Sequence, residues 1–345
     1  MQYNPAMVTL ARESREMTMG ELAAKVGVTP SLISKIEQGN REMSEERAKS
    51  IASALSYPTE VLFWRDPVYG FGSSSFYHRK QQSLPQKALK EIQAFVNFHR
   101  IRAKRLSSAL DLDFAFTIPS LSVDDYGSPE EIARAVRAAW RMPIGPVQNL
   151  TDWIEAAGGF VVQREFSSAK INAISVWPPG ENPFFVLNTL LPPCNLRFSL
   201  AHELGHLVMH DVPEPEQEAE ADRFAAEFLM PAADIKSQLR GMDLTLAARL
   251  KPLWRTSMGA LMRRARDLGV ITDRQHTSLR VQLSQKGWTK DEPVQISQEN
   301  PQLIPEIIDV HHSEHGYTAS DLADMVGLYT REWLDLYEPR GLRAI

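Results

Sequence analysis

Arg197-Phe198-Ser199-Leu200-Ala201-His202-Glu203-Leu204-Gly205-His206 is the stretch that decides how this chain is read. Leu196, Leu200, Leu204 and Leu207, with Phe198, supply the apolar surface of a buried helix. Pro192-Pro193 end the segment before it, and Asn195 offers an N-cap. On that helix His202 and His206 stand one turn apart on the same face, which is a bidentate grip for a metal ion. Glu203 then sits beside the ion's open position, placed to take a proton from a water as it attacks a carbonyl. Two imidazoles and a carboxylate on a buried helix are costly unless paired or ligated. The competing reading is a pair of satisfied core histidines.

A catalytic zinc needs a third protein ligand and leaves its fourth place to water. The candidates after the helix are His210, Asp211, Glu214, Glu216, Glu218, Glu220 and Asp222. An imidazole two turns from His202 is too far along a straight helix to share its ion, so His210 is expected to cap the helix end against the dipole. The next helix, with Ala221, Phe224, Ala225, Phe228 and Leu229 as its packing stripe and Met230-Pro231 as its end, is the natural source of a carboxylate. Periodicity does not choose between Glu218 and Glu220. Asp222 reads equally as an acid orienting an imidazole and as a solvated one.

Upstream, Ser128 with Glu130 and Glu131 opens a helix striped by Ile132, Ala133, Val136, Ala139 and Trp140, and a second helix runs through Leu150, Trp153 and Ile154 to Gly158-Gly159. Phe160 to Val162, Ala173 to Trp177 and Phe184 to Leu187 read as strands. The turn chemistry of Pro178-Pro179-Gly180 pairs the last two as an antiparallel hairpin. A sheet edge above the metal helix is where a substrate strand could dock through its main chain.

The run Arg197 to His206, followed by Glu220-Ala221-Asp222-x-Phe224-Ala225-Ala226 and Leu229-Met230-Pro231, resembles the ImmA/IrrE family of metallopeptidases over about Ser128 to Pro231. The resemblance implies that the glutamate heading the Glu-Ala-(Asn or Asp) signature, here Glu220, completes a Zn2+ site with His202 and His206. Another divalent metal such as Mn2+ is compatible with the same donors. It also implies Glu203 as the catalytic base and a repressor or similar regulatory protein as substrate.

Near the N-terminus, Gly20 to Asn40 reads as helix, turn, helix. Leu22, Ala23 and Val26 form one apolar face, Gly27 permits the left-handed turn, and Thr29-Pro30 start the second helix, from which Ile33 and Ile36 point into the core. This pattern resembles the Cro and phage-repressor (XRE) type of helix-turn-helix. The resemblance implies a double-stranded DNA operator, with Pro30, Ser31, Ser34 and Lys35 facing base edges and Asn40 approaching phosphate. Met19 stands where a polar residue is common, and residues 1–65 carry eight Lys plus Arg against eight Glu, so the module's electrostatic hold on DNA is weak. Such modules usually read two half-sites as a homodimer.

After Trp64 a Gly- and Ser-rich break leads to His78–Arg105, which carries eight cations (Arg79, Lys80, Lys87, Lys90, Arg100, Arg102, Lys104, Arg105) against Glu91 alone. Its Leu89, Ile92, Phe95 and Val96 recur at helical spacing. The basic face is either a solvated one or a source of added phosphate contacts. In the C-terminal third, Ser320 to Leu328 echoes Gly20 to Val28, and the acidic, aromatic segment after it favours packing or partner contact over DNA reading. His311, His312 and His315 are expected in a surface loop.

The chain of 345 residues has formal charge -5 and a single cysteine, Cys194, which excludes an internal disulfide and suits a reducing cytosol. No signal peptide or membrane span is legible, so the expected location is cytoplasmic with no membrane partner. The expected fold class is α+β: an all-α helix-turn-helix domain at 1–66, a linker and basic amphipathic helix at 67–122, a zincin-like peptidase domain with a small, mostly antiparallel sheet and the HExxH helix at 123–235, and a helical region at 236–345 that senses or binds a partner. The function expected is DNA binding joined to zinc-dependent cleavage of a repressor. The alternative is a non-hydrolytic regulator or antitoxin-like protein whose peptidase fold senses a ligand or partner.

Overall fold

The computed structural model describes residues 2–70, 86–166, 168, 170–210, 215–289 and 291–338. They divide into two compact units, one taking its residues from Met1–Gly72, Arg79–Asp113 and Leu303–Ile345, the other from Phe114–Gln302. The fold is α+β, with helices throughout and one three-stranded sheet.

In the first unit the Met19–Lys25 helix starts on Thr18, whose hydroxyl accepts from the Glu21 amide at 3.2 Å while the Glu21 carboxylate accepts from the Thr18 amide at 2.7 Å. Gly27 takes the turn at φ +68°, and Thr29 caps the Pro30–Glu37 helix. Leu22, Ala23, Ile33 and Ile36 are buried together with Met7, Val8, Ile51 and Leu55 from the flanking helices. Arg12, itself buried, clasps Glu37 with two hydrogen bonds at 2.6 and 2.9 Å and so ties the Pro5–Ser14 helix to the second helix of the motif.

The same motif is present again near the C-terminus. Thr318 and Asp321 make the same reciprocal cap, Gly327 turns at φ +64°, and Trp333 is fully buried. The Thr330–Tyr337 helix faces inward: Glu332 accepts both ends of the Arg15 guanidinium at 2.8 and 2.9 Å, and the Tyr329 hydroxyl donates to the Tyr57 carbonyl at 3.1 Å. This copy therefore packs against the first.

In the Gln86–Ser107 helix Lys87, Lys90 and Lys104 are exposed, whereas the arginines are engaged within the unit. Arg100 donates to the Pro67 carbonyl at 2.6 Å, Arg102 donates to the Val326 carbonyl at 3.3 Å, and Arg105 pairs with Asp66 while lying over the Trp64 ring. Lys87 and Lys90 pair with Glu16 and Glu13. Arginine stems cover apolar surface while their heads find local acceptors, so Arg100, Arg102 and Arg105 serve packing. Arg79 and Lys80 lie outside the described residues. The histidine cluster also differs from expectation: His311 sits in the Leu303–Ser313 helix, fully buried, with Nε2 2.8 Å from the Leu106 carbonyl.

In the second unit the sheet order is β1 (Phe160–Arg164), β3 (Phe184–Asn188), β2 (Ala173–Val176). The expected hairpin is present, with β2 antiparallel to β3, but β1 runs parallel to β3, which makes the sheet mixed. Central β3 is buried along its whole length, as a strand covered on both faces must be. The Pro193–Met209 helix opens on Pro193 at its first position with no side-chain cap, so Asn195 lies inside the first turn. Arg197 fixes that turn by donating to the Val147 and Arg255 carbonyls and pairing with Glu299, which in turn caps the Leu150–Ala156 helix. The helices Leu244–Trp254, Met258–Asp267 and Asp273–Gln285 share the core that Leu196, Leu200 and Leu204 enter from the histidine helix.

The paired turns give a direct test of packing. A Cβ at Gly27 meets nothing within 4 Å, whereas one at Gly327 comes within 2.5 Å of Trp64 and Val61. Both alanine substitutions carry the left-handed backbone cost of about 1–2 kcal/mol. Gly327→Ala is expected to lose roughly 1–3 kcal/mol more than Gly27→Ala in chemical denaturation of the full chain, because only it overpacks.

Candidate functional site

The Pro193–Met209 and Gln217–Leu229 helices lie against each other, and Gly205 is what lets them close. A Cβ there would stand 2.9 to 3.3 Å from Phe224 Cδ1, Cγ and Cβ, atoms near the base of a fully buried ring that cannot swing aside. The glycine inside the HExxH sequence thus sets how near the second helix brings its acids.

Those acids meet the imidazoles at one point. His202 Nε2 and His206 Nε2 are 3.0 Å apart, His206 Nε2 is 3.4 Å from Glu218 Oε1, and His202 Nε2 is 3.8 Å from Glu218 Oε2. Among the described residues, His202, His206 and Glu218 form the group whose donor atoms converge as metal ligands, all within 4.8 Å of one another. A tetrahedral zinc about 2.0–2.1 Å from each donor has edges of about 3.3 Å, so the donor set fits that ion in both type and spacing.

Each imidazole is turned toward this point by a partner on its other nitrogen. His202 Nδ1 lies 3.0 Å from Asp222 Oδ1, and Arg263 lies 3.4 Å from the other Asp222 oxygen. A carboxylate only accepts, so the neutral His202 ring carries its proton on Nδ1 and leaves the Nε2 lone pair facing Glu218. Burial opposes protonation of His202, yet the Asp222 hydrogen bond and the charges of Glu203, Asp222 and Glu218 outweigh it and raise its pKa. The same charges favour a divalent cation in the proton's place. His206 Nδ1 lies 2.9 Å from His210 Nδ1, and His210 Nε2 lies 3.0 Å from Glu220 Oε2. Burial and the neighbouring His206 push the His210 pKa down to about 4, which leaves it a neutral acceptor.

The structure brings together His202, Glu203, His206 and Glu218, and it turns Glu220 to His210 instead of to the converging nitrogens. The reason is helical phase: Glu218 and Asp222, four apart, share the face toward His202, while Glu220 points away from it. The four-residue spacing of Glu218 and Asp222 is visible in the sequence, but which face of the helix meets the histidines is set by the packing of the two helices. His210 ends the helix with its amide on the His206 carbonyl, as expected of a cap, but its side chain works inside the site. Asp211 and Glu214 lie outside the described residues.

Sequence reasoning missed Ser175. This residue of edge strand β2 donates its hydroxyl to Glu203 Oε2 at 2.6 Å, which fixes that carboxylate beside the imidazoles. Nothing in the strand's alternation marks this serine apart.

In the first unit Pro30, Ser31, Lys35 and Asn40 are exposed and Ser34 is half-buried, all on or just beyond the Pro30–Glu37 helix. Gln38 bridges two of them, donating to Ser34 Oγ at 3.3 Å and accepting from Asn40 Nδ2 at 3.2 Å.

Two family models match this chain. Residues 154–266 match the IrrE N-terminal-like domain of a peptidase family. Residues 9–62 match the helix-turn-helix family. The chain therefore joins a DNA-binding helix-turn-helix domain to a peptidase-like domain, and the IrrE N-terminal-like match spans His202, Glu203, His206 and Glu218. No curated protein matches the chain. Among the described residues no helix is long and apolar enough to cross a membrane.

Gly205→Ala should cost about 1–3 kcal/mol in chemical denaturation, since the added methyl must displace the base of the Phe224 ring. An unchanged midpoint would mean that the two helices do not need their close approach.

Proposed function

We propose that this chain is a cytoplasmic transcription regulator in which a zinc-dependent endopeptidase acts on a repressor or other regulatory protein. The observation that carries the reading is the convergence of His202 Nε2, His206 Nε2 and a Glu218 oxygen beside Glu203. In this reading the two histidines and Glu218 hold the ion, and Glu220, suggested by family resemblance, is left to an outer role. A divalent ion bound there supplies Lewis-acid polarisation of a water and of the scissile carbonyl.

The chain's own residues do the rest. Glu203 accepts the proton of the attacking water and passes it to the nitrogen of the leaving amine, so one carboxylate serves as base and then as acid. Ser175 holds the Glu203 oxygen at 2.6 Å and so limits the carboxylate to one orientation. β2 has β3 on one side only among the described residues, and its free edge offers main-chain groups on which an extended peptide could lie, next to Ser175 and hence to Glu203.

For the DNA-binding part, Pro30, Ser31, Ser34 and Lys35 face base edges and Asn40 approaches phosphate, with a homodimer engaging two half-sites of the operator. Arg100, Arg102 and Arg105 of the Gln86–Ser107 helix are bound within their own unit, so they add little electrostatic attraction. Binding should depend on salt with the shallow slope of a few phosphate contacts. Lys35→Ala should weaken operator binding, measured by fluorescence anisotropy, without changing zinc content.

The decisive variant is Glu203→Gln, which keeps the size and loses the base. Cells expressing the parent chain should yield new protein N-termini that terminal proteomics does not find with Glu203→Gln, and cleavage of the protein so identified should fall about 10²–10⁴-fold. Equal cleavage by both chains would contradict the mechanism. An absence of new termini with a zinc-loaded parent would favour the non-hydrolytic sensor.

A further inference from the structure

We infer that His210 and Glu220 form a positioning relay behind His206, so that Glu220 acts on the metal site through two imidazoles and not as a ligand. The inference rests on the proposed ligand set of His202, His206 and Glu218 and extends it to how one ligand is held.

The relay follows from where protons can sit. When the ion of the proposed site takes the Nε2 lone pairs of His202 and His206, which lie 3.0 Å apart, the neutral His206 ring carries its proton on Nδ1. That Nδ1 is 2.9 Å from His210 Nδ1, and a nitrogen pair at this distance needs one donor and one acceptor, so His210 Nδ1 is the bare one. The His210 proton is then on Nε2, 3.0 Å from Glu220 Oε2, and it donates there. Every placement is forced by the one before: Glu220 accepts from His210, which accepts from His206, whose remaining lone pair faces the site.

The geometry that permits this is the end of the helix. His210 leaves helical conformation at φ −122° and ψ 99° directly after Met209, which swings its ring back over His206 in place of continuing one turn further along the axis. The His210 side chain is only 7% exposed, so water competes poorly for either nitrogen. His202 has a shorter device for the same purpose, the direct contact of its Nδ1 with Asp222. A hydrogen-bonded carboxylate at the end of either chain fixes the ring and raises the basicity of the ligating nitrogen. Glu220, engaged on the far side of His206, is thereby separated from the converging donors.

The test is zinc affinity of the full-length chain, stripped of metal and titrated with Zn2+ alone against a chromophoric chelator, with the melting temperature of the metal-free form as folding control. The parent should take up one zinc per chain. His210→Ala should weaken affinity about 10–100-fold, and Glu220→Ala should fall in the same range, each still binding one zinc. His210→Gln should recover most of the loss, because its amide oxygen can accept from His206 and its amide nitrogen can donate to Glu220. Glu218→Ala should lose more than any of these, and the Co2+ absorption spectrum should shift in His210→Ala and return in His210→Gln. The relay is overturned if His210→Ala binds zinc like the zinc-binding parent, or if Glu220→Ala loses more than Glu218→Ala. A parent chain that takes up no zinc overturns the metal-site reading itself, and the relay with it.

Discussion

The approach of two helices across Gly205 is the constraint on which the site depends. A side chain there would run into the base of Phe224, and the Gln217–Leu229 helix would have to move away from the histidines. With glycine in place, Glu218 reaches within 3.4 Å of His206 Nε2, and Asp222, on the same face, reaches His202 Nδ1. The small residue between Leu204 and His206 therefore does for geometry what the histidines do for chemistry. Arg197 holds the other end of that helix against Val147, Arg255 and Glu299, so the imidazoles are fixed from both directions.

The groups behind the converging donors have assigned partners. Asp222 and His210 face the outer nitrogens of the two imidazoles, Glu220 stands behind His210, and Ser175 holds Glu203. Buried imidazoles and carboxylates persist only when they are hydrogen-bonded or ligated; the outer nitrogens are hydrogen-bonded here, and the two Nε2 atoms and Glu218 converge on one point that a cation would satisfy. The acids around His202 also make the point attractive to positive charge, as its raised pKa records.

Much of this was legible from residue order. The HExxH helix, the hairpin turn at Pro178-Pro179-Gly180 and the Thr29-Pro30 start of the second DNA-binding helix are local patterns, and the structure has them where the sequence placed them. What was not legible depends on contacts between distant segments. The parallel pairing of β1 with β3 is one such case, because strand alternation says nothing about neighbours. The choice of Glu218 is another, since it rests on which face of one helix meets another helix. Ser175 is a third, an ordinary strand serine that acquires its role from a carboxylate 28 residues away. The engagement of Arg100, Arg102 and Arg105 within their unit was not legible either, because composition counts charges without showing their partners; Asp66 and backbone carbonyls supply them. The C-terminal echo of the helix-turn-helix was visible as Leu, Ala, Val and Gly at matching offsets, and its inward-facing Trp333 and Glu332 explain why that copy packs against the first.

Two imidazoles and one carboxylate converge to hold a single ion in this proposal, and X-ray absorption at the zinc edge of the zinc-loaded full-length chain reads that shell. Nitrogen and oxygen neighbours only, at about 2.0–2.1 Å, are expected, with the outer scattering of two imidazole rings. One imidazole or none, or a sulfur neighbour from Cys194, would contradict it.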